Sequence, residues 1–464
     1  MNSSIKLLTR STIKLLREHL PIIIAVVFIV LIKFAIVPRF GLYIPGNTGI
    51  AWNDKIEVAS GEAYQGPWRM NDSEFHYVDD PAIALLNDGS FGIVWADQKE
   101  QDLFFRFYNS DGEPAMAEPV NVSQSPGIFS WLPRMIIDPK DNNRIYILWQ
   151  DIAFTGGSHG GEIMFSRSLD RGKTFSEQIN LSNTSAGAGK GRLTSTRWDN
   201  GSLDLAISPN GILFAAWTEY EGALQFSRSS DGGRSFSNPI QVAGDEDAPA
   251  RGPSLTVDNQ GTVHFAWTVG EDHSADIYYA YSSNWGMSFT DPQIITESDG
   301  HSDAPKIAAD RNGIIHLVFA EGDRILSSRY EIYYSRKQRS DGTFEQPRVV
   351  SSFHSGQIRS TAFPDIAINE NGSIYLLWEL YPDRGQHSRG LGYAYSFDGG
   401  SSFSNPGLIP GSSDPDYGVN GSRQGSLMSK LSVNDTGSIA VAHSTFKRDE
   451  SSHIWIFRGE SNPD

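Results

Sequence analysis

The sequence predicts an all-β protein, a β-propeller of seven four-stranded blades closed by an N-terminal strand and preceded by one transmembrane helix. Three observations lead there. A unit of two short apolar runs around a Gly turn is written seven times, its copies begin 50 to 70 residues apart, and the second run of most copies closes on Trp. That period suits a four-stranded blade with its loops rather than a helical solenoid.

Copies begin at Pro81, Pro133, Leu203, Pro253, Pro305, Pro364 and Ser429, and six carry Gly eight residues on, at Gly89, Gly211, Gly261, Gly313, Gly372 and Gly437. The second copy has a longer turn with Asn143 in that place, and Asn tolerates a left-handed backbone better than other non-Gly residues. Six positions further stand Trp95, Trp149, Trp217, Trp267, Phe319, Trp378 and His443. Runs such as IIHLVFA and SIYLLWE are β-branched and aromatic, bounded by DRNG and NENG turns, and too short for independent helices. The last copy stops before a fourth strand, whereas DKIEVAS at Asp54 to Ser60 precedes the first copy without a blade of its own. Its placement as the outer strand of blade seven closes the ring and removes a free sheet edge.

The chain begins differently. Residues 1–19 form a basic segment with Lys6, Arg10, Lys14 and Arg17, and residues 20–37 are apolar but for Lys33. An 18-residue segment with one charge near its far end suffices to span a bilayer, and the basic excess before it places the N-terminus in the cytoplasm and the propeller outside. No small-residue cleavage pattern follows, so the segment reads as an uncleaved signal anchor, with 38–53 as a tether and 54–464 as the propeller. The chain has no cysteine, which excludes disulfides, thiolate catalysis and Cys-bound metal, and is ordinary for a bacterial envelope protein. Net charge is −17, and leaving out the five basic residues up to Lys33 and Glu18 takes it to −21. Such a surface excludes nucleic acid as a partner and leaves a glycan or an envelope protein as candidate ligand. Neither a cofactor nor a metal is expected: no His-Glu-Xaa-Xaa-His occurs, and His301 and His443 lack metal-spaced partners.

The turns after the third strands carry a second repeat. SLDRGKTF, SSDGGRSF and SFDGGSSF match Ser-Xaa-Asp-Xaa-Gly-Xaa-Xaa-aromatic around Asp170, Asp231 and Asp398, SSNWGMSF has Asn for Asp, and two further copies are eroded. These octapeptides resemble the Asp boxes (BNR repeats) of sialidase-type propellers, and the resemblance covers most of residues 54 to 460. An Asp that bonds its own turn amides staples a hairpin, so the boxes read as structural.

Ligand chemistry belongs to the opposite face, at the mouth of the central channel, where first strands begin and second strands end. The resemblance implies three arginines clamping a sugar carboxylate, a Tyr nucleophile activated by Glu, and an Asp acid/base. Arg197, Arg251, Arg359 and Arg423 are the candidate ligand-binding residues, and Asp97, Glu219 and Tyr417 the catalytic ones if the chain is an enzyme. Arg251 stands two residues before a strand Pro, as in the family's Arg-Ile-Pro. In the first copy Asp79 takes the place of the clamping Arg, with Arg69 in the preceding loop as a possible substitute. Asp97 and Glu219 also fall in a position repeated at Asp151 and Glu321, which favours a structural role. The insertion from Asn183 to Asn200 lengthens one blade approach and is the loop expected to touch a ligand, or else a mobile linker. Two readings stay open: a membrane-anchored recognition propeller binding a glycan or protein without turnover, and a sialidase-like glycosidase acting on acidic sugars.

Overall fold

The computed structural model describes residues 49–153, 161–271, 275–322, 329–338, 342–352, 358–382, 388–413, 418–419 and 430–461. Tyr417, Arg423 and segments 1–19 and 20–37 lie outside them. Among the described residues no helix is long and apolar enough to cross a membrane.

Seven blades are present, with inner strands Val78–Leu85, Ser130–Ile137, Leu203–Ile207, Ala250–Val257, His301–Ala309, Ser360–Ile368 and Leu431–Val433. In blades one to six each inner strand is followed antiparallel by a second, a third and a short outer strand. Blade seven takes its outer strand from the other end of the chain: Ile56–Gly61 pairs with Ser451–Ser461, Ile56 opposite Ile456 and Gly61 opposite Ser452. Ile50–Trp52, expected in the tether, continues this edge opposite Ser461 to Gly459.

The repeated Gly residues earn their places. All six turn glycines have φ between +79° and +90°, a conformation costly for a side chain. Asn143 is different, because its φ is not positive. The longer turn closes instead through Arg144 N–H to the Asp141 carbonyl and Asp138 N–H to the Arg144 carbonyl. In most other copies an Asx residue opens the turn and accepts two of its amides, as Asp258 does from Gln260 and Thr262 at 2.9 Å each.

The core lies between blades. Trp149, Trp217, Trp267 and Trp378 are wholly buried, and each apolar cluster joins neighbours, as Tyr146 and Leu148 of blade two meet Leu205 and Leu213 of blade three. The octapeptide turns that resemble Asp boxes add to this seam. Asp170 Oδ1 accepts from Ser168 Oγ and Thr174 N–H at 2.7 and 2.9 Å, and Asp231 and Asp398 repeat the pattern. In the fourth-blade copy Asn284 keeps the acceptor and turns its Nδ2 to donate to Ser288 Oγ at 2.9 Å. Each box aromatic then packs edge-on against a third-strand aromatic of the preceding blade: Phe175 on Phe105, Phe236 on Phe165, Phe289 on Phe226, Phe403 on Tyr334. The box Gly is the spacer, since a Cβ at Gly400 would run into the Tyr334 hydroxyl.

Candidate functional site

A kink shared by five inner strands builds the channel mouth. The residue before the strand Pro is left-handed in each: Asp80 (φ 53°), Leu132 (57°), Gly252 (59°), Ala304 (54°) and Phe363 (54°). Pairing with the second strand slips at the same place, between Asp79 and Ala82, Arg251 and Ser254, Asp303 and Lys306, and Ala362 and Asp365. These are β-bulges, which bend the strand and re-aim the side chains beside them. Here they mark the position two before the Pro, occupied by Asp79, Trp131, Arg251, Asp303 and Ala362.

The charged side chains at this position bond within the protein. Arg251 is buried, its Nη2 lies 3.3 Å from Asp303 Oδ2, and its Nη1 donates to the carbonyls of Arg192 and Gly270. His301 Nε2 is 3.2 Å from the same carboxylate oxygen, and Thr268 Oγ1 donates to Oδ1 at 3.0 Å. Although burial opposes ionisation, Arg251 and His301 hold the Asp303 carboxyl well below the usual carboxylate range. A narrow cavity bounded by Asp199, Ser202, Arg251, Asp303 and Phe363 opens here. Asp79 is fully buried, accepting from Ser444 Oγ at 2.7 Å and from Asp80 N–H at 2.8 Å.

Deeper in the channel, the position after the strand Pro forms a ring of Ala82, Arg134, Asp204, Ser254, Lys306, Asp365 and Lys430. Arg134 and Lys306 face Asp204 and Asp365, with Asp80 also acting on Arg134. Asp365 Oδ2 accepts the backbone N–H groups of Lys430 and Leu431, and Asp204 Oδ2 that of Leu255, so the carboxylates also tie one inner strand to the next. Lys430 Nζ meets Glu379 Oε1 at 2.5 Å, and Tyr381 OH donates to Glu379 Oε2 at 2.7 Å. Burial, then the Glu379 charge, keep that phenol protonated far above the ordinary range.

The other sequence candidates fall as follows. Asp97 Oδ1 accepts the N–H groups of Lys99 and Glu100 in its own turn, and burial raises its carboxyl. Glu219 is half-buried near Thr184 and Gln225, also raised by burial. Arg359 is exposed. Arg197 lies on strand Arg197–Asn200, paired with Lys190–Thr194. The insertion is thus a hairpin rather than a linker: Arg192 Nε meets Glu271 Oε1 at 2.6 Å, Trp198 stacks on Tyr220, and Gly191 lies against the Arg251 side chain. These links bring Arg251, Asp303 and the hairpin together, while Asp97 and Glu219 sit in the second-to-third turns of blades one and three.

Some features that look like chemistry belong to the scaffold. The Asn-Xaa-Ser triplets at Asn121 and Asn180 end in Ser123 and Ser182, whose hydroxyls accept the N–H groups of Leu103 and Ile163 and donate to Asp102 and Glu162. Among the described residues an Asp-His-Tyr arrangement occurs twice in adjacent blades, Asp258-His264-Tyr279 and Asp310-His316-Tyr334, each with His Nδ1 2.7 Å from the phenol oxygen, on the face away from the mouth.

No family model and no curated protein sequence matches the chain. Solved structures do. An ulvan lyase of polysaccharide lyase family PL25, bound to GlcA(1-4)Rha3S, is 15% identical with a TM-score of 0.53, covering 86% of this chain and 95% of its own. The polysaccharide lyase Uly1 is 12% identical with a TM-score of 0.52, covering 88% and 99%. The Hadza microbial sialidase Hz136 follows at 12% identity and a TM-score of 0.43, covering 90% and 96%. At these identities the chain shares a propeller fold with the two lyases.

Proposed function

We propose that the protein is a membrane-anchored, extracytoplasmic propeller that binds a glycan at the channel mouth without turning it over. The observation that carries the binding reading is the internal pairing of the mouth charges. Arg251 is committed to Asp303, Asp79 is buried against Ser444, and Asp97 caps its own turn. A guanidinium that already donates to Asp303 and two carbonyls has few N–H groups left for a sugar carboxylate, and Asp79 would repel one. The glycan is favoured because the two lyases sharing the fold are named for polysaccharides. The anchor rests on the apolar segment 20–37.

A second reading has its own observation. Tyr381 and Glu379 form a hydrogen-bonded phenol and carboxylate at the end of a second strand, the chemistry that the sialidase resemblance assigned to Tyr417 and Glu219. One experiment separates the two. The soluble fragment 41–464 is tested for retention on immobilised ulvan, and for turnover by the absorbance of unsaturated uronate ends and by release from a fluorogenic sialoside. Retention without product is the expected result. Product formation abolished by Tyr381→Phe would replace the binding reading with catalysis, and neither retention nor product would remove the glycan.

A further inference from the structure

Before its first full blade the chain makes a small hairpin, Tyr64–Gln65 against Phe75–His76, whose connecting loop carries Trp68. Trp68 is 41% exposed, and among the described tryptophans it alone is so open. Its surroundings are not those of a loosely held surface residue. The indole stacks on Trp131, with centroids 5.3 Å apart and planes at 19°, and packs edge-on against Phe129 and tilted against Phe75, both also at 5.3 Å. Trp131 is 4% exposed and holds the bulge position of blade two that Arg251 and Asp303 hold in blades four and five.

The loop is pinned to the mouth face. Asn71 Nδ2 donates to the Ile152 carbonyl at 2.9 Å, Asn71 Oδ1 accepts Phe129 N–H at 2.9 Å, and Gln101 Nε2 donates to the Asn71 carbonyl at 2.8 Å. Gly66 N–H donates to the Glu74 carbonyl at 3.0 Å and Glu74 N–H to the Pro67 carbonyl at 3.4 Å, closing the hairpin. On the same loop, the exposed side chains of Arg69 and Glu74 stand 3.9 Å apart, too far for a hydrogen bond between them.

We infer that Trp68, backed by Trp131, is a stacking subsite for one pyranose ring of a polysaccharide, with Arg69 and Glu74 bonding the ring's hydroxyl or acidic substituents. The inference rests on the glycan reading and adds a place and a chemistry to it. An aromatic face is complementary to the axial C–H face of a pyranose, and rigid aromatics give contact area at little entropic cost. A guanidinium and a carboxylate beside the ring supply a donor fork and acceptors for vicinal hydroxyls.

The test is affinity electrophoresis of the full chain through gels containing ulvan, hyaluronan, xylan or laminarin, repeated with Trp68→Ala, Trp68→Phe and Arg69→Ala. At least one polysaccharide is expected to retard the native chain. Trp68→Ala should weaken that retardation about five- to tenfold, and Trp68→Phe should keep most of it. Arg69→Ala should weaken ulvan or hyaluronan more than xylan or laminarin. Arg69→Ala and Trp68→Phe should melt close to the native chain, whereas Trp68→Ala should keep one cooperative transition at a somewhat lower temperature, having lost its stacking on Trp131 and Phe129. Undiminished retardation of Trp68→Ala would overturn the subsite while leaving a glycan elsewhere on the mouth. Absence of retardation of the native chain in all four gels would overturn both.

Discussion

Asp151 shows how a candidate carboxylate can be assigned by its surroundings. It is 1% exposed, its Oδ1 accepts Ser130 Oγ and Trp149 Nε1 at 2.6 Å each, and Ser125 Oγ lies 3.3 Å from Oδ2. Burial outweighs those donors, and with Asp102 nearby the carboxyl is raised to about 6. A carboxyl whose folded value lies above its unfolded one supports folding fully below the unfolded value, and that support is lost as pH rises through the folded value. The relevant window therefore runs from about pH 4 to about pH 6. Asp151→Asn keeps the oxygen for Ser130 and Trp149 and removes the charge. Its expected effect is stabilisation by about 1–3 kcal/mol at neutral pH, vanishing near pH ~4, read from denaturant midpoints at the two pH values. A variant less stable than the native chain at neutral pH would mean that the ionised form is the favoured one. This position was visible in the sequence as a repeated column, and repetition favoured a structural role. Its partners were not visible, because Ser125 and Ser130 reach it only once two strands pair.

The inner-strand bulge lives on the scale of the strand. Five copies place a left-handed residue before Pro, and one of the five is Gly252. A Cβ there would meet only Pro305 Cδ, at 3.9 Å, so an added methyl group encounters strain and no clash. Gly252→Ala should cost about 1 kcal/mol through the backbone alone, and Ala304→Gly, at the matching place one blade on, should gain a similar amount less the entropy of Gly. Calorimetry of both variants checks the pair, and equal melting temperatures for Gly252→Ala and the native chain would refute the strain. The Gly hairpin turns and the Ser-Xaa-Asp octapeptide turns were legible in the sequence because each is closed by residues within a few positions of one another. The mouth was less so. Arg251 was readable as an arginine before Pro, but not its capture by Asp303, which comes from the next blade. Trp68 passed unnoticed because its stacking partner Trp131 lies in another blade, and no local pattern couples the two. The channel ring could have been found by aligning the copies at their opening residue, one column after the Pro.

At the scale of the whole molecule the ring is held by joining its ends. Every described blade but the seventh draws its outer strand from its own stretch of chain, whereas Ser451–Ser461 is covered by Ile56–Gly61 and Ile50–Trp52. The covering strands bring Val58 and Ile50, 7% and 6% exposed, into the seams with blades one and six, and Trp52 packs edge-on against Tyr393 at 5.4 Å. Burying Val58 and Ile50 contributes about 1.5–3 kcal/mol each, and losing the ladder would bare an 11-residue edge strand. A chain starting at residue 62 should therefore be destabilised by at least ~5 kcal/mol relative to one starting at residue 49, and should associate through its open edge. Thermal unfolding and light scattering of the two fragments make the comparison. Adding a synthetic peptide of residues 49–61 should restore part of the lost stability, because the strand can pair from outside the chain. If the shorter fragment melts at the same temperature and stays monomeric, the blades hold the ring without the closing strand, and its pairing with Ser451–Ser461 is an ornament of the fold rather than its lock.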